Sequence, residues 1–334
     1  MEHLPPWWMI GGHLQTIGAA VLARTGSVNH GSSKRSHVAA AWRRHRIELI
    51  DGDFFDLDVA SPIDPTTHLT LFHGLEGSSQ SHYALALADA AIAMGWSIAV
   101  PHFRGCSGEP NRLPRAYHSG DTRDIDAMLR ASNRYSTAER HVALGASLGG
   151  NALTLWAGEQ GPEAKTAISA MVALGAPLDL KAAGAAIHRG ANRYIYTPMF
   201  LRTMKQKARA KAQAFPGTFD AHAAQRAASI AAFDDAFTAP LHGFNGVLDY
   251  YERASAKSHL HQIRIPCLLV NAKNDPFVPW QSVTDGAAVS ADVTVCHPNA
   301  GGHVGYPSVA TGSAWRGSLQ PMAEELLHWL DQRG

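Results

Sequence analysis

The chain has 334 residues, 46% hydrophobic and 17% charged, with a formal net charge of +1. Those values describe a well-cored globular protein with room for one large domain or two modest ones. The near-zero charge gives no electrostatic case for nucleic acid or for an acidic partner. Three cysteines (Cys106, Cys267, Cys296) form an odd set without metal-type spacing, which fits a reducing compartment. Nineteen histidines mean that none stands out by its presence alone.

The start, Met1 to Trp8, lacks a basic region, and Pro5 and Pro6 precede any apolar run. Ile10 to Ala23 is partly apolar but interrupted by Gly11, Gly12, His13 and Gln15. Neither a signal peptide nor a membrane span is expected, which makes cytoplasm the default location. Trp7, Trp8, Met9 and Ile10 form an apolar-aromatic cluster that either tucks onto the body of the protein or touches a membrane peripherally. Residues 25–40 are rich in Gly, Ser, Asn and His and read as a loop.

Arg46–Ile50 and Phe55–Val59 alternate apolar and polar residues around Asp51-Gly52-Asp53, a hairpin pattern. Leu69–Phe72 is a short buried strand ending at His73-Gly74. Ser81–Met94 has helical periodicity and stops at Gly95, Trp96–Val100 is the next strand, and a helix follows over about Asp121–Asn133. His141–Leu144 has strand character and runs into Gly145-Ala146-Ser147-Leu148-Gly149-Gly150, with a helix over Asn151–Trp156. Ala167–Leu174, Cys267–Val270 and Asp292–Cys296 are further strands, and Met322–Leu330 is an amphipathic terminal helix. Strands alternating with helices predict an α/β fold: a mostly parallel sheet, helices on both faces, and an antiparallel edge from the hairpin.

One interval breaks this rhythm. From about Leu178 to Leu260 the chain is Ala-rich and helical, too long for a simple crossover. It is expected to be a helical cap, dividing the chain into a core of 1–177 and 261–334 and an insertion of 178–260. The basic run Thr203–Lys211 within it reads as a solvated helix face or as a surface for anionic lipid headgroups.

A serine on a sharp strand-to-helix turn presents its hydroxyl to a cleft, and the N–H of the next residue, Leu148, points where an oxyanion would form. Acyl transfer then needs a base for the serine proton and an acid to orient the base, here in the order Ser, Asp, His. Asp275 follows the strand at Cys267–Val270 in a Pro-bounded turn, and His303 sits in a glycine loop after the last strand. Asp179, also after a strand, is the rival acid. The loop His73-Gly74-Leu75-Glu76-Gly77 should supply the second oxyanion donor, the N–H of Leu75, while His73 braces the loop and Ser78 and Ser79 hydrogen-bond within it. Arg104-Gly105-Cys106-Ser107-Gly108 follows a strand and is expected to line the cleft, with Arg104 pairing with a buried carboxylate or, alternatively, binding an anion. His13 and Gln15 either cover the site mouth or pack. No metal spacing and no phosphate loop occurs, so no cofactor and no metal is expected.

Four segments carry a family resemblance: Pro6-Trp7 through Gly12-His13-Leu14-Gln15-Thr16; His73 to Gly77; Phe103-Arg104-Gly105-Cys106-Ser107-Gly108-Glu109 with Asn111-Arg112 and Tyr117 to Gly120 beyond; and Gly145 to Asn151. With them the chain resembles the α/β-hydrolase superfamily, and more closely the bacterial YheT-type hydrolases, relatives of the eukaryotic ABHD1/2/3 group and of yeast medium-chain ester synthases. Phe233-Asp234-Asp235 through Gly243-Phe244, with Tyr250-Tyr251, is similar to that family's cap. The resemblance implies a serine carboxylesterase acting on short- or medium-chain acyl esters. Relatives extend to lipases, phospholipid deacylation and acyl transfer to alcohols, and a non-catalytic ligand-binding protein on the same fold is the contrasting expectation. The implied partner is a small ester or lipid, with no nucleic acid and no stable membrane insertion.

Overall fold

A computed structural model describes residues 4–24, 42–310 and 313–333. The expected loop at 25–40 lies outside the described residues. The chain opens with α1 (Gly11–Arg24), then the hairpin β1 (Arg43–Glu48) and β2 (Phe54–Ala60). Next come β3 (Thr67–Phe72), α2 (His82–Ala93), β4 (Ser97–Pro101), α3 (Thr122–Asn133), β5 (Arg140–Ala146), α4 (Leu148–Gln160) and β6 (Ala170–Leu174). A helical stretch follows: α5 (Leu180–Ile187), α6 (Asn192–Ala214), α7 (Ala221–Arg226), α8 (Ile230–Phe233), α9 (Ala239–Leu241) and α10 (Val247–Ala254). The chain closes with β7 (Cys267–Val270), β8 (Val293–Cys296), the small pair β9 (Ser308–Ala310) and β10 (Ser313–Ser318), and α11 (Gln320–Asp331).

Among the described residues eight strands form one sheet in the order β1-β2-β4-β3-β5-β6-β7-β8. The hairpin pairs antiparallel with itself and onto β4, and every pairing from β4 to β8 is parallel. This is an α/β-hydrolase architecture. Side-chain alternation along the strands builds two apolar layers. On β3 and β5, Leu69, Leu71, Val142 and Leu144 face α2 and α11, whereas Phe72 and Ala143 face the layer of α3 and α4.

Parallel strands place their C-terminal ends at one edge, where ligands of such sheets bind. β3, β5, β6, β7 and β8 all send their following loops there. The interval between β6 and β7 holds helices and no strand among the described residues. Its basic run departs from the expectation of a solvated face. Lys207 turns inward to Glu76 and Cys106, and Lys211 bonds the carbonyls of Asn111 and Leu113. Two features were not anticipated: α1, and the pair β9–β10.

Candidate active site

β5 delivers Ser147 to the sheet edge through a turn that only small neighbours permit. Ser147 has φ +52°, in the left-handed region that L-residues rarely adopt. A Cβ on Gly145 would lie 2.5 Å from the Gly149 carbonyl oxygen, and one on Gly149 would lie 2.6 Å from that of His73. The turn is pinned by the Ser147 N–H donating to Leu174 O at 2.8 Å and the Asn151 N–H donating to Ser147 O at 3.1 Å. α4 therefore starts immediately after the serine, with Leu148 its first residue.

Three sequence-predicted residues meet here. His303 Nε2 is 2.9 Å from Ser147 Oγ, and His303 Nδ1 is 2.9 Å from Asp275 Oδ2. The other Asp275 oxygen accepts the N–H groups of Phe277 (2.7 Å) and Val278 (3.1 Å), so the carboxylate is fixed before it meets the ring. A carboxylate at Nδ1 holds the proton there and leaves the Nε2 lone pair for the serine hydroxyl. The Asp275 side chain is fully shielded from solvent, and the Phe277 ring packs 4.5 Å from the imidazole.

The loop bearing His303 is held by α1. Thr16 Oγ1 accepts the His303 N–H at 2.8 Å, and Gln15 Oε1 accepts both the Gly301 N–H and the Asn274 amide. Asn274 Oδ1 in turn accepts the Gly302 N–H. A Cβ on Gly302 would lie 2.7 Å from Thr16 Oγ1. Gln15 is thus a buried brace between the acid and base loops, and His13 stacks on Tyr196 of α6. Asn274, Thr16 and Phe277 escaped sequence reasoning. The roles of Thr16 and Asn274 rest on contacts across more than two hundred residues and that of Phe277 on a ring contact between two loops, and only the proximity of Asn274 to Asp275 hinted at one of them.

Gly74 faces the serine: a Cβ there would lie 3.2 Å from Ser147 Cβ. Leu75 is next in the chain and packs against the cluster of Leu201, Met204 and Phe237 from the helical stretch. The loop is braced by His73, whose Nδ1 meets Gly74 O at 2.8 Å and whose Nε2 accepts the Phe103 N–H at 3.1 Å. Burial pushes the His73 imidazole down to about 3, so it stays neutral and is unsuited to serve as a base near neutral pH. Ser79 donates to Asp58, and Ser78 bonds within its own turn.

Other candidates sit elsewhere. Asp179 caps α5 by accepting the Ala182 N–H at 2.9 Å and lies 3.5 Å from Lys257 Nζ, so it is not the partner of His303. Arg104 pairs with buried carboxylates, the expected alternative to anion binding. It is buried and bonded to Asp53 and Asp124 at 2.6–2.8 Å, with Asp51 at 2.9 Å. Its charge is consumed by a carboxylate cage that ties the β1–β2 turn to α3. Burial pushes the Cys106 thiol up to about 11, which leaves it protonated and unreactive at neutral pH.

A profile of the α/β-hydrolase fold matches residues 67–308, most of the chain. The chain belongs to the α/β-hydrolase family. It is 40% identical over 266 residues to YheT of Escherichia coli (strain K12), a protein named as an esterase, covering 78% of this chain and 77% of that one. It is 26% identical to phospholipase ABHD3 of Bos taurus over 79% of this chain and 66% of that one. Among solved structures, mouse α/β-hydrolase domain-containing protein 10 superposes with a TM-score of 0.52 at 14% identity, over 87% of this chain and all of that one, a likeness of fold. Among the described residues of this hydrolase, no helix is long and apolar enough to cross a membrane.

Proposed function

We propose that this hydrolase is a serine carboxylesterase that cleaves short- to medium-chain acyl esters through an acyl-enzyme. The observation that carries the reading is the continuous relay Ser147–His303–Asp275 on the strained turn after β5. His303 Nε2 takes the hydroxyl proton as Ser147 Oγ attacks the ester carbonyl carbon, and the carbonyl oxygen becomes an oxyanion between the N–H groups of Leu148 and Leu75. Asp275 keeps the imidazole in the Nδ1–H tautomer and stabilises the imidazolium that forms. That imidazolium then protonates the leaving alcohol. Water activated by His303 attacks the acyl-serine, and the acid leaves with Ser147 restored.

In this reading residues 178–260 form a cap over the sheet edge, and Leu75 with its apolar neighbours from α6 lines the acyl path. The free thiols Cys106, Cys267 and Cys296 support a reducing, cytoplasmic setting.

The test is hydrolysis of p-nitrophenyl esters from acetate to palmitate by wild type and Ser147→Ala. The expected result is a maximum at short or medium chains, with kcat lowered on the order of 10⁶-fold by the substitution. Equal turnover by Ser147→Ala would overturn the reading. A flat wild-type profile would redirect it toward acyl transfer or a narrower substrate.

A further inference from the structure

Among the described residues, more than half of the exposed large apolar side chains lie on two segments, residues 4–21 and the first turns of α6. On the first, Ile10, Leu14, Ile17 and Val21 are exposed, Ile10 at 77%. Leu14, Ile17 and Val21, spaced i, i+3 and i+7 on α1, lie on one stripe about 60° wide, and Ile10 immediately precedes the helix. The buried Gln15 and Ala19 occupy the opposite side of α1, so the outward stripe is not the one that packs on the core. On α6, Tyr194, Ile195 and Met199 are likewise exposed, Tyr194 at 71%. A stripe of this kind on the solvent side marks a contact surface.

Both segments hold the site. α1 bonds the His303 loop through Thr16 and Gln15. α6 bonds the Asp275 loop through Asn192 Nδ2, 2.6 Å from Pro276 O, and through Tyr196 against Phe277 at 4.5 Å. His13 stacking on Tyr196 joins the two helices. The apolar stripes therefore flank the acid and base loops.

Charge on the same elements selects the occupant. Residues 4–24 contain no Asp or Glu, and neither does α6; with Lys207 and Lys211 turned inward, α6 still carries Arg193, Arg202, Lys205 and Arg209 in a chain whose net charge is only +1. Arg193 and Arg202 are exposed and form no ion pair among the described residues. Residues 25–41, which follow α1, hold only Val28 and Val38 as apolar residues larger than Ala, too little to cover such stripes. Apolar stripes edged by unpaired cations match a phospholipid surface with anionic headgroups, where acyl chains receive the first and phosphates the second.

We infer that α1 and the N-terminal turns of α6 dock this protein on an anionic phospholipid surface, so that ester substrate enters the site from the lipid. The inference rests on the esterase reading for its substrate, but the docking itself does not.

The test is flotation of the full chain carrying Ser147→Ala with phosphatidylcholine vesicles, with and without phosphatidylglycerol. The parent should float with the anionic vesicles. Ile10→Glu with Leu14→Glu should lower the bound fraction about tenfold or more. Arg193→Gln with Arg202→Gln should lower it about tenfold on anionic vesicles only. In the background with Ser147 intact, the Ile10/Leu14 variant should keep wild-type turnover of p-nitrophenyl acetate, showing that it is folded, while losing turnover of a vesicle-borne ester. No flotation of the parent, or flotation unchanged in both variants, overturns docking whether or not esters are cleaved. A concentration-dependent dimer that Ile10→Glu with Leu14→Glu disperses also overturns it, assigning the face to a second copy. Flotation as expected with no ester cleaved leaves docking standing and removes the esterase reading alone.

Discussion

Asp275 divides its two oxygens between the backbone and the imidazole, and this division explains why an isosteric amide should fail there. Oδ1 accepts two backbone N–H groups, so in Asp275→Asn the amide oxygen keeps that position and the amide nitrogen is turned toward His303 Nδ1. A donor facing Nδ1 favours the tautomer protonated on Nε2, which cannot take the serine proton. Turnover of p-nitrophenyl butyrate should fall about 10⁴-fold while the protein still folds. A loss below tenfold would mean that Asp275 does not orient the base. At this scale Ser147, Asp275 and His303 were legible because each follows its own strand, and strand ends are marked by apolar runs and glycines. The pairing of Arg104 with a buried carboxylate was legible, but its partners Asp51, Asp53 and Asp124 were not, because they come from other elements. The strained backbones of Val304 and Tyr306, with φ +46° and +43°, were not legible at all, since neither residue type favours that region.

Among elements, α6 and the loop after β3 are tied by one ion pair whose loss should be felt at the serine. Lys207 Nζ lies 2.8 Å from Glu76 Oε1, which also accepts the Tyr117 hydroxyl, and Tyr117 OH accepts the Glu76 N–H. Glu76 has φ +56° and adjoins Leu75, so the pair helps hold the loop proposed to carry the second oxyanion donor. Lys207→Met leaves a largely shielded carboxylate without its cation and should lower kcat on a soluble ester about tenfold. Adding Glu76→Gln should restore part of it, because the neutral amide needs no cation. Steady-state kinetics equal to wild type would show that the loop holds its shape without α6. Lys207 lay in a run expected to face solvent; six charged or polar residues within nine do not reveal which few point inward. Most sheet strands and the helices α2, α3, α4 and α11 were legible from period and punctuation. α1 was not, because its apolar Leu14, Ile17 and Val21 face outward, its inner side carries Gln15 and Thr16, and it begins with Gly11-Gly12. β9 and β10 are short and pair only with each other, so no buried periodicity announces them.

For the molecule as a whole, the helical stretch is joined to the sheet through buried polar contacts, and a buried carboxyl within the stretch should set a pH dependence. Asn151 on α4 donates to Ser119 O and Ala254 O and accepts the Ala256 N–H, clamping the end of the stretch to the helix that starts at the nucleophile. Within the stretch, Asp234 is buried in a wide π-type turn, where it accepts the hydroxyls of Thr238 and Tyr251. Burial pushes its carboxyl up from 3.8 to about 6, against the opposing pull of those two hydrogen bonds. A carboxyl raised on folding binds its proton more tightly in the native state. Its contribution is fully present below the unfolded value of 3.8 and is lost as pH rises through about 6. The loss is of order 2–3 kcal/mol. Asp234→Asn carries no charge to desolvate, so the variant should gain on wild type in urea midpoint between pH 4 and 7 and stay ahead above it. All eight tryptophans lie outside residues 178–260. Their fluorescence therefore reports the sheet core, whereas far-ultraviolet circular dichroism reports both parts. The Asn151 clamp predicts coincident transitions by the two probes. A wild-type and variant pair whose midpoints run parallel across this pH range would remove Asp234 as the source, and separated transitions would show that the helical stretch unfolds apart from the sheet.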